Sequence, residues 1–262
     1  MKRILILLSA LATFLGPAAS SLVTIPLEVF AESTQTSCQE MFSDEITFSY
    51  ECVDSKETMS YVLYTPSSAK QTSETPMIVW LHGLGERDVD RYTFLNNGLP
   101  KTLNNWHLKG FNSYVLCPQL KYGLWNTPQM KDSLQALIDE IVLEYNIDTD
   151  NIVLVGHSSG GQGALYMAHE LPGYFSKLVV LSGAYPNIDA SEITIPTIGY
   201  VGRVENGEYE HISQYMHVNF LPVFGRENLF YVPTWHSNVP DMVFNEDKDG
   251  DGCSDVIQWM FN

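Results

Sequence analysis

The chain has 262 residues, 45% hydrophobic and 12% aromatic, enough to bury the core of one large α/β domain. Its 14 Lys and Arg face 31 Asp and Glu, for a formal net charge of −17 with no basic run. That surface repels polyanions and excludes nucleic acid as a partner.

Met1-Lys2-Arg3, an apolar run from Ile4 to Leu15 and then Gly16-Pro17-Ala18-Ala19-Ser20 have the layout of a secretory signal peptide. Small residues suit cleavage after Ser20 or after Ala31. Cleavage after Ala31 is the expectation, with residues 32–262 forming a single secreted domain. The apolar run is shorter than the ~20 residues that span a bilayer and is broken by Gly16-Pro17, so stable membrane insertion is not expected. In an oxidising compartment Cys38, Cys52, Cys117 and Cys253 allow up to two disulfides. Cys38 with Cys52 is the favoured bridge, and Cys117 and Cys253 are either partners or buried thiols; no zinc or redox spacing is present.

Residues 45–50 and 59–64 alternate at the strand period and predict an antiparallel pair at a sheet edge. Residues 77–81, 114–117, 152–155, 177–181, 197–201 and 229–232 are short apolar runs that predict buried strands. Leu134, Leu137, Ile138, Ile141, Val142 and Tyr145 recur at helical spacing within 130–145. Strand and helix alternate, which predicts a mostly parallel sheet with helices on both faces and chemistry at the carboxyl ends of the strands.

The run Ile152 to Val155 leads into Gly156-His157-Ser158-Ser159-Gly160-Gly161 and then a helical stretch over 165–171. A G-x-S-x-G between a strand and a helix is the nucleophile elbow of the α/β-hydrolase fold and makes Ser158 the candidate nucleophile. Glycines at 156 and 160 suit a turn too tight for side chains. The run 77–81 ends in His82-Gly83-Leu84-Gly85-Glu86-Arg87, a loop whose backbone can approach a substrate oxygen closely. The N–H groups of Leu84 and Ser159 are the candidate oxyanion donors, and His82 shapes the loop. In this fold acid and histidine follow the serine in the chain. His236 follows the final strand, whereas His169, His211 and His217 have surface readings, so His236 is the candidate base. The acid should lie after 197–201, in Gly202-Arg203-Val204-Glu205-Asn206-Gly207-Glu208. Glu205 is the first choice, with Glu208 and Glu210 as competitors.

Trp125 and Trp235 are candidates for substrate binding. Near the end, Asp247, Asp249 and Asp251 match the opening of an EF-hand-like calcium loop, with Gln258 where glutamate belongs. The alternative there is an acidic cap on the last helix. Such an ion would be structural, and catalysis requires no cofactor. A zinc peptidase is excluded because His169-Glu170 has Gly173 in place of the second histidine. A non-catalytic module with Trp125, Trp106 and Tyr122 as an aromatic or carbohydrate platform would require the elbow to be a relic.

Several motifs in order resemble the secreted α/β-hydrolase esterases related to feruloyl esterases and to the predicted peptidases of prolyl-oligopeptidase type. They are Leu81 to Arg87, Asn97-Gly98-Leu99-Pro100, Cys117-Pro118-Gln119, Gly156 to Gly161, and His236 with Ile257-Gln258-Trp259-Met260. The resemblance runs over roughly Ser60 to Phe261. It implies an acyl-enzyme on a carboxylic ester, small or linked to a polysaccharide, or alternatively peptidase activity. Such families carry an aspartate after a glycine and two variable residues in the acid loop, and that position here is Glu205.

Overall fold

The computed structural model describes residues 42–43, 46, 48–54, 59–69, 74–104, 110–203 and 210–262. The chain divides into two units, Met1–Thr36 and Ser37–Asn262, of which the first lies outside the described residues. The expected leader over residues 1–31 therefore falls there too.

The strands are β1 (Phe42–Ser43), β2 (Phe48–Val53), β3 (Ser60–Pro66), β4 (Thr75–Leu81), β5 (Gly110–Phe111), β6 (Tyr114–Gln119), β7 (Ile147–His157), β8 (Lys177–Leu181), β9 (Thr197–Gly202) and β10 (Leu229–Val232). The short β1 and β5 pair with each other. The other eight form one sheet in the order β10-β9-β8-β7-β4-β6-β3-β2. Pairing is parallel from β6 through β10 and antiparallel for β2 with β3 and β3 with β6. This is the α/β-hydrolase arrangement expected from the sequence, including the antiparallel edge pair.

Helices α1 (Arg91–Leu95), α2 (Gly98–Asn104), α3 (Pro128–Glu144), α4 (Ser159–Glu170), α5 (Glu210–Tyr215), α6 (Leu221–Phe224), α7 (Val239–Phe244) and α8 (Asp255–Phe261) cover the sheet. A π-helical turn, Met216–Phe220, joins α5 to α6. Helix α3 starts where Pro128 occupies the first turn and the Thr127 hydroxyl accepts the Met130 N–H at 3.3 Å. Its buried stripe is Met130, Leu134, Leu137, Ile138 and Ile141, the helical spacing read in the sequence.

Both faces of the central strands are buried, which is why they read as unbroken apolar runs rather than alternating ones. Ile152 and Leu154 of β7 point into a core with α3 and α4, while Val153 and Val155 join a second core with α1, α2, α7 and α8. Each such side chain contributes roughly 1.5–3 kcal/mol by leaving water. These two cores hold the carboxyl ends of β4, β7 and β8 at one rim, where the candidate site lies.

Cys52 and Cys117 are free. The favoured Cys38–Cys52 bridge is thus corrected: Cys52 is an exposed thiol on edge strand β2, and Cys38 is outside the described residues. Among the described residues no helix is long and apolar enough to cross a membrane.

Candidate active site

Strand β7 delivers the chain into the elbow. Ser158 sits between β7 and α4 with φ 55° and ψ −119°, a positive φ that costs a non-glycine residue about 1–3 kcal/mol and is sustained here by its surroundings. A Cβ on Gly156 would lie 2.2 Å from the Gly160 carbonyl oxygen, and one on Gly160 would lie 2.0 Å from the Leu81 carbonyl oxygen. Only glycine permits this approach of strand, turn and helix.

His236 opens a 3-10 turn, His236–Asn238, just beyond β10. Its Nε2 lies 2.8 Å from the Ser158 hydroxyl. The structure therefore brings together two residues that are 78 positions apart in the chain. His157 adds a contact that the sequence did not single out. Its Nε2–H donates to the His236 carbonyl at 3.0 Å, and the two rings lie 5.0 Å apart.

Leu84 and Ser159 each open a helical turn, the 3-10 turn Leu84–Glu86 and helix α4. First-turn N–H groups have no acceptor one turn earlier and stay available. Both residues line the cleft with Ser158 and His236, and the Leu84 side chain is 52% exposed at its mouth.

His82 has a structural place. Its Nδ1–H donates to the Gly83 carbonyl at 2.6 Å and its Nε2 accepts the Leu120 N–H at 3.1 Å. Burial lowers its pKa to about 4, so the ring is neutral and fits both bonds. Glu86 lines the cleft as well. Burial raises its carboxyl above the usual range, opposed by its own and the Gly83 N–H groups and by nearby His236.

Neither candidate substrate-binding tryptophan lines the cleft. Trp125 is 0% exposed; its indole N–H donates to the His82 carbonyl at 3.0 Å, and its Cβ sits where a Cβ on Gly163 would lie, 2.1 Å away. It is a core residue supporting the loop that carries Leu84, and its neighbour Leu124 is the one that reaches the cleft. Trp235 is 56% exposed beside His236 and outside the lining. The cleft, about 450 Å³, is instead edged by Glu86 and Asn97, which lie in two of the quoted motifs, by His211, read from the sequence as a surface histidine, and by Gln162 and Ser237, which no motif flagged.

Glu205 and Glu208 lie outside the described residues. Glu210 is exposed at the start of α5.

In the C-terminal loop, carboxylate oxygens of Asp247, Asp249 and Asp255 lie within 4.8 Å of one another. Asp251, expected as a ligand, is not in this group. Its carboxylate accepts the Gln258 side-chain amide at 2.9 and 3.1 Å and the Cys253 N–H at 2.8 Å. An amide at position 258 donates where glutamate would coordinate, and so captures Asp251. The Asp251 N–H favours charge on Asp249, yet desolvation and the Asp251 and Asp247 carboxylates leave its pKa raised overall.

The comparisons agree with this fold. The structure resembles a solved thermostable esterase (TM-score 0.63, 20% identity, 82% of this chain and 62% of that one). It also resembles the Staphylococcus aureus fluorophosphonate-binding serine hydrolase FphF (TM-score 0.57, 14% identity, 83% and 99%). A third likeness is to the feruloyl esterase module from Clostridium thermocellum (TM-score 0.55, 14% identity, 79% and 87%). At these identities the likenesses establish the fold. "Putative esterase NocK" of Nocardia uniformis subsp. tsuyamanensis is 25% identical over 177 residues, 66% of this chain and 52% of that protein. The chain thus spans about half the length of this curated relative. The model of the Esterase family, described as "Putative esterase", matches residues 101–238, more than half of the chain and a span that contains both Ser158 and His236, and the chain belongs to that family.

Proposed function

We propose that this esterase-family chain hydrolyses carboxylic esters through an acyl-enzyme on Ser158. The observation that carries the reading is the 2.8 Å approach of His236 Nε2 to the Ser158 hydroxyl on a strained, glycine-flanked elbow. His236 accepts the hydroxyl proton as Ser158 attacks the ester carbonyl. The N–H groups of Leu84 and Ser159 hold the resulting oxyanion. His236 then returns the proton to the departing alcohol, and water repeats the sequence to release the acid. Glu205 orients His236 and stabilises its protonated form. Ser158→Ala should abolish ester turnover and fluorophosphonate labelling while the far-ultraviolet dichroism is unchanged; retained labelling would overturn the assignment.

The reading extends to an exported protein acting on extracellular esters, small or polysaccharide-linked, after loss of residues 1–31. Two observations support it: the layout of residues 1–20 and the bonded state of Cys253, which is in a disulfide. Mass mapping of the secreted protein under non-reducing conditions tests both points.

The loop from Asp247 to Asp255 is proposed to take a structural calcium ion through Asp247, Asp249 and Asp255, with Asp251 left to Gln258. Hard oxygen donors at this spacing suit that ion. Millimolar calcium should raise the Tm, and Asp249→Asn should remove the increment.

A further inference from the structure

The catalytic cleft does not end at the elbow. A second cavity of about 400 Å³ lies beyond it and shares two lining residues with it, Gln162 and His211. Gln162 is one helical turn along α4 from the nucleophile, its N–H bonded to the Ser158 carbonyl at 3.0 Å. The remaining described wall comes from Ala184 and Pro186 after β8 and from Gln214, Tyr215, Val218 and Asn219. In a chain with 31 acidic residues, none of these wall residues carries a carboxylate, a lysine or an arginine. Val218 stands at the mouth 58% exposed, an apolar side chain in water, on the π-helical turn Met216–Phe220. Such turns interrupt α-helices and are frequent at functional sites.

We infer that this groove, continuous with the Ser158 cleft through Gln162 and His211, is a subsite for an uncharged, extended acyl arm of the ester substrate. The inference rests on the esterase reading of Ser158 and His236. The leaving alcohol must take its proton from His236, and Ser237 and Pro240, just beyond it, border the cleft at that end. No residue from 236 to 240 lines the groove, so the groove receives the other arm. An acetyl methyl stops short of a wall one helical turn away, about 5 Å. A hexanoyl chain enters it and moves its methylenes out of water.

The test compares 4-nitrophenyl acetate with 4-nitrophenyl hexanoate on the full chain and on Val218→Trp, which places a bulky ring at the mouth of the groove. The expected result is a hexanoate preference in the unaltered protein. The variant should lose roughly tenfold in kcat/KM on hexanoate and keep its acetate rate and fluorophosphonate labelling. Equal effects on both esters, or none on either, would overturn the subsite while leaving the esterase reading intact. Hexyl acetate, carrying the long arm on the alcohol, is measured alongside; its slowing in the variant with hexanoate untouched would overturn the assignment to the acyl arm. Absence of both turnover and labelling in the unaltered protein would overturn the esterase reading and the subsite with it.

Discussion

His157 holds His236 by its backbone: the His157 Nε2–H donates to the His236 carbonyl at 3.0 Å while the imidazole of His236 reaches Ser158 at 2.8 Å. One residue of the elbow thus fixes the loop that carries the candidate base, and the candidate nucleophile and its partner are registered by adjacent positions, His157 at the end of β7 and Ser158 in the turn after it.

Removing that bond should loosen the base without removing it. His157→Phe keeps a ring of similar size in the buried site and deletes the donor, so kcat should fall roughly 10- to 100-fold while KM changes little. Fluorophosphonate labelling of Ser158 should slow in parallel. A loss confined to thermal stability, with unchanged labelling, would make His157 a packing residue only.

The elbow glycines predict a sharp contrast. A Cβ on Gly160 would meet the Leu81 carbonyl oxygen at 2.0 Å, and the Leu81 and His82 backbones have nowhere to go. Gly160→Ala should cost at least about 3 kcal/mol, a fall of roughly 6–12 °C in Tm. Gly85→Ala meets nothing within 4 Å and should leave Tm nearly unchanged. Comparable thermal midpoints for the two variants would refute the steric account.

His82 makes a pH prediction. Its folded pKa is about 4, below its ordinary value near 6.5, because burial disfavours the charged ring. The unfolded chain therefore takes up this proton first as pH falls. The stability linked to neutral His82 is full above pH 6.5 and drains away between 6.5 and 4, by up to about 3 kcal/mol. His82→Gln, which retains polar groups in place of the titrating ring, should flatten the acid side of the Tm-against-pH curve over that window. An unchanged slope would show that other groups dominate it.

For the acid, Glu205→Gln, Glu208→Gln and Glu210→Gln should be compared on one activated ester. Loss of the charge that stabilises a protonated His236 should cost Glu205→Gln roughly four orders of magnitude in kcat. The Glu210 change, on an exposed helix start, should be mild. If Glu208→Gln were the crippled variant, the triad would be Ser158, Glu208 and His236.

What was legible in the sequence follows from what physics made obligatory. Runs such as Ile152 to Val155 announced strands because a parallel strand buried on both sides has no room for polar residues. Gly156 and Gly160 announced the elbow because any side chain there collides with backbone. Trp125 misled because its loop has no periodicity to tell which neighbour faces the cleft; the indole turned inward to the His82 carbonyl and Leu124 took the rim. Asp251 misled because ligand spacing alone is blind to a competing donor, here the Gln258 amide. His157 stood inside the elbow motif and His211 was read as a surface histidine, yet neither these nor Gln162 signalled its place at the cleft, since a contact made across the fold leaves no local pattern.

Strand β10 has only four residues and is hydrogen-bonded to the sheet on one side, through β9. His236 follows it closely, so a four-residue edge strand, rather than the buried centre of the sheet, carries half of the Ser158–His236 contact. Edges of this kind open at lower free energy than central strands. As denaturant or heat is applied, the hydroxyl and the imidazole should part company while the central strands β4, β7 and β8 still hold. During folding, competence should be the last property acquired, arriving when the edge closes rather than when the core collapses.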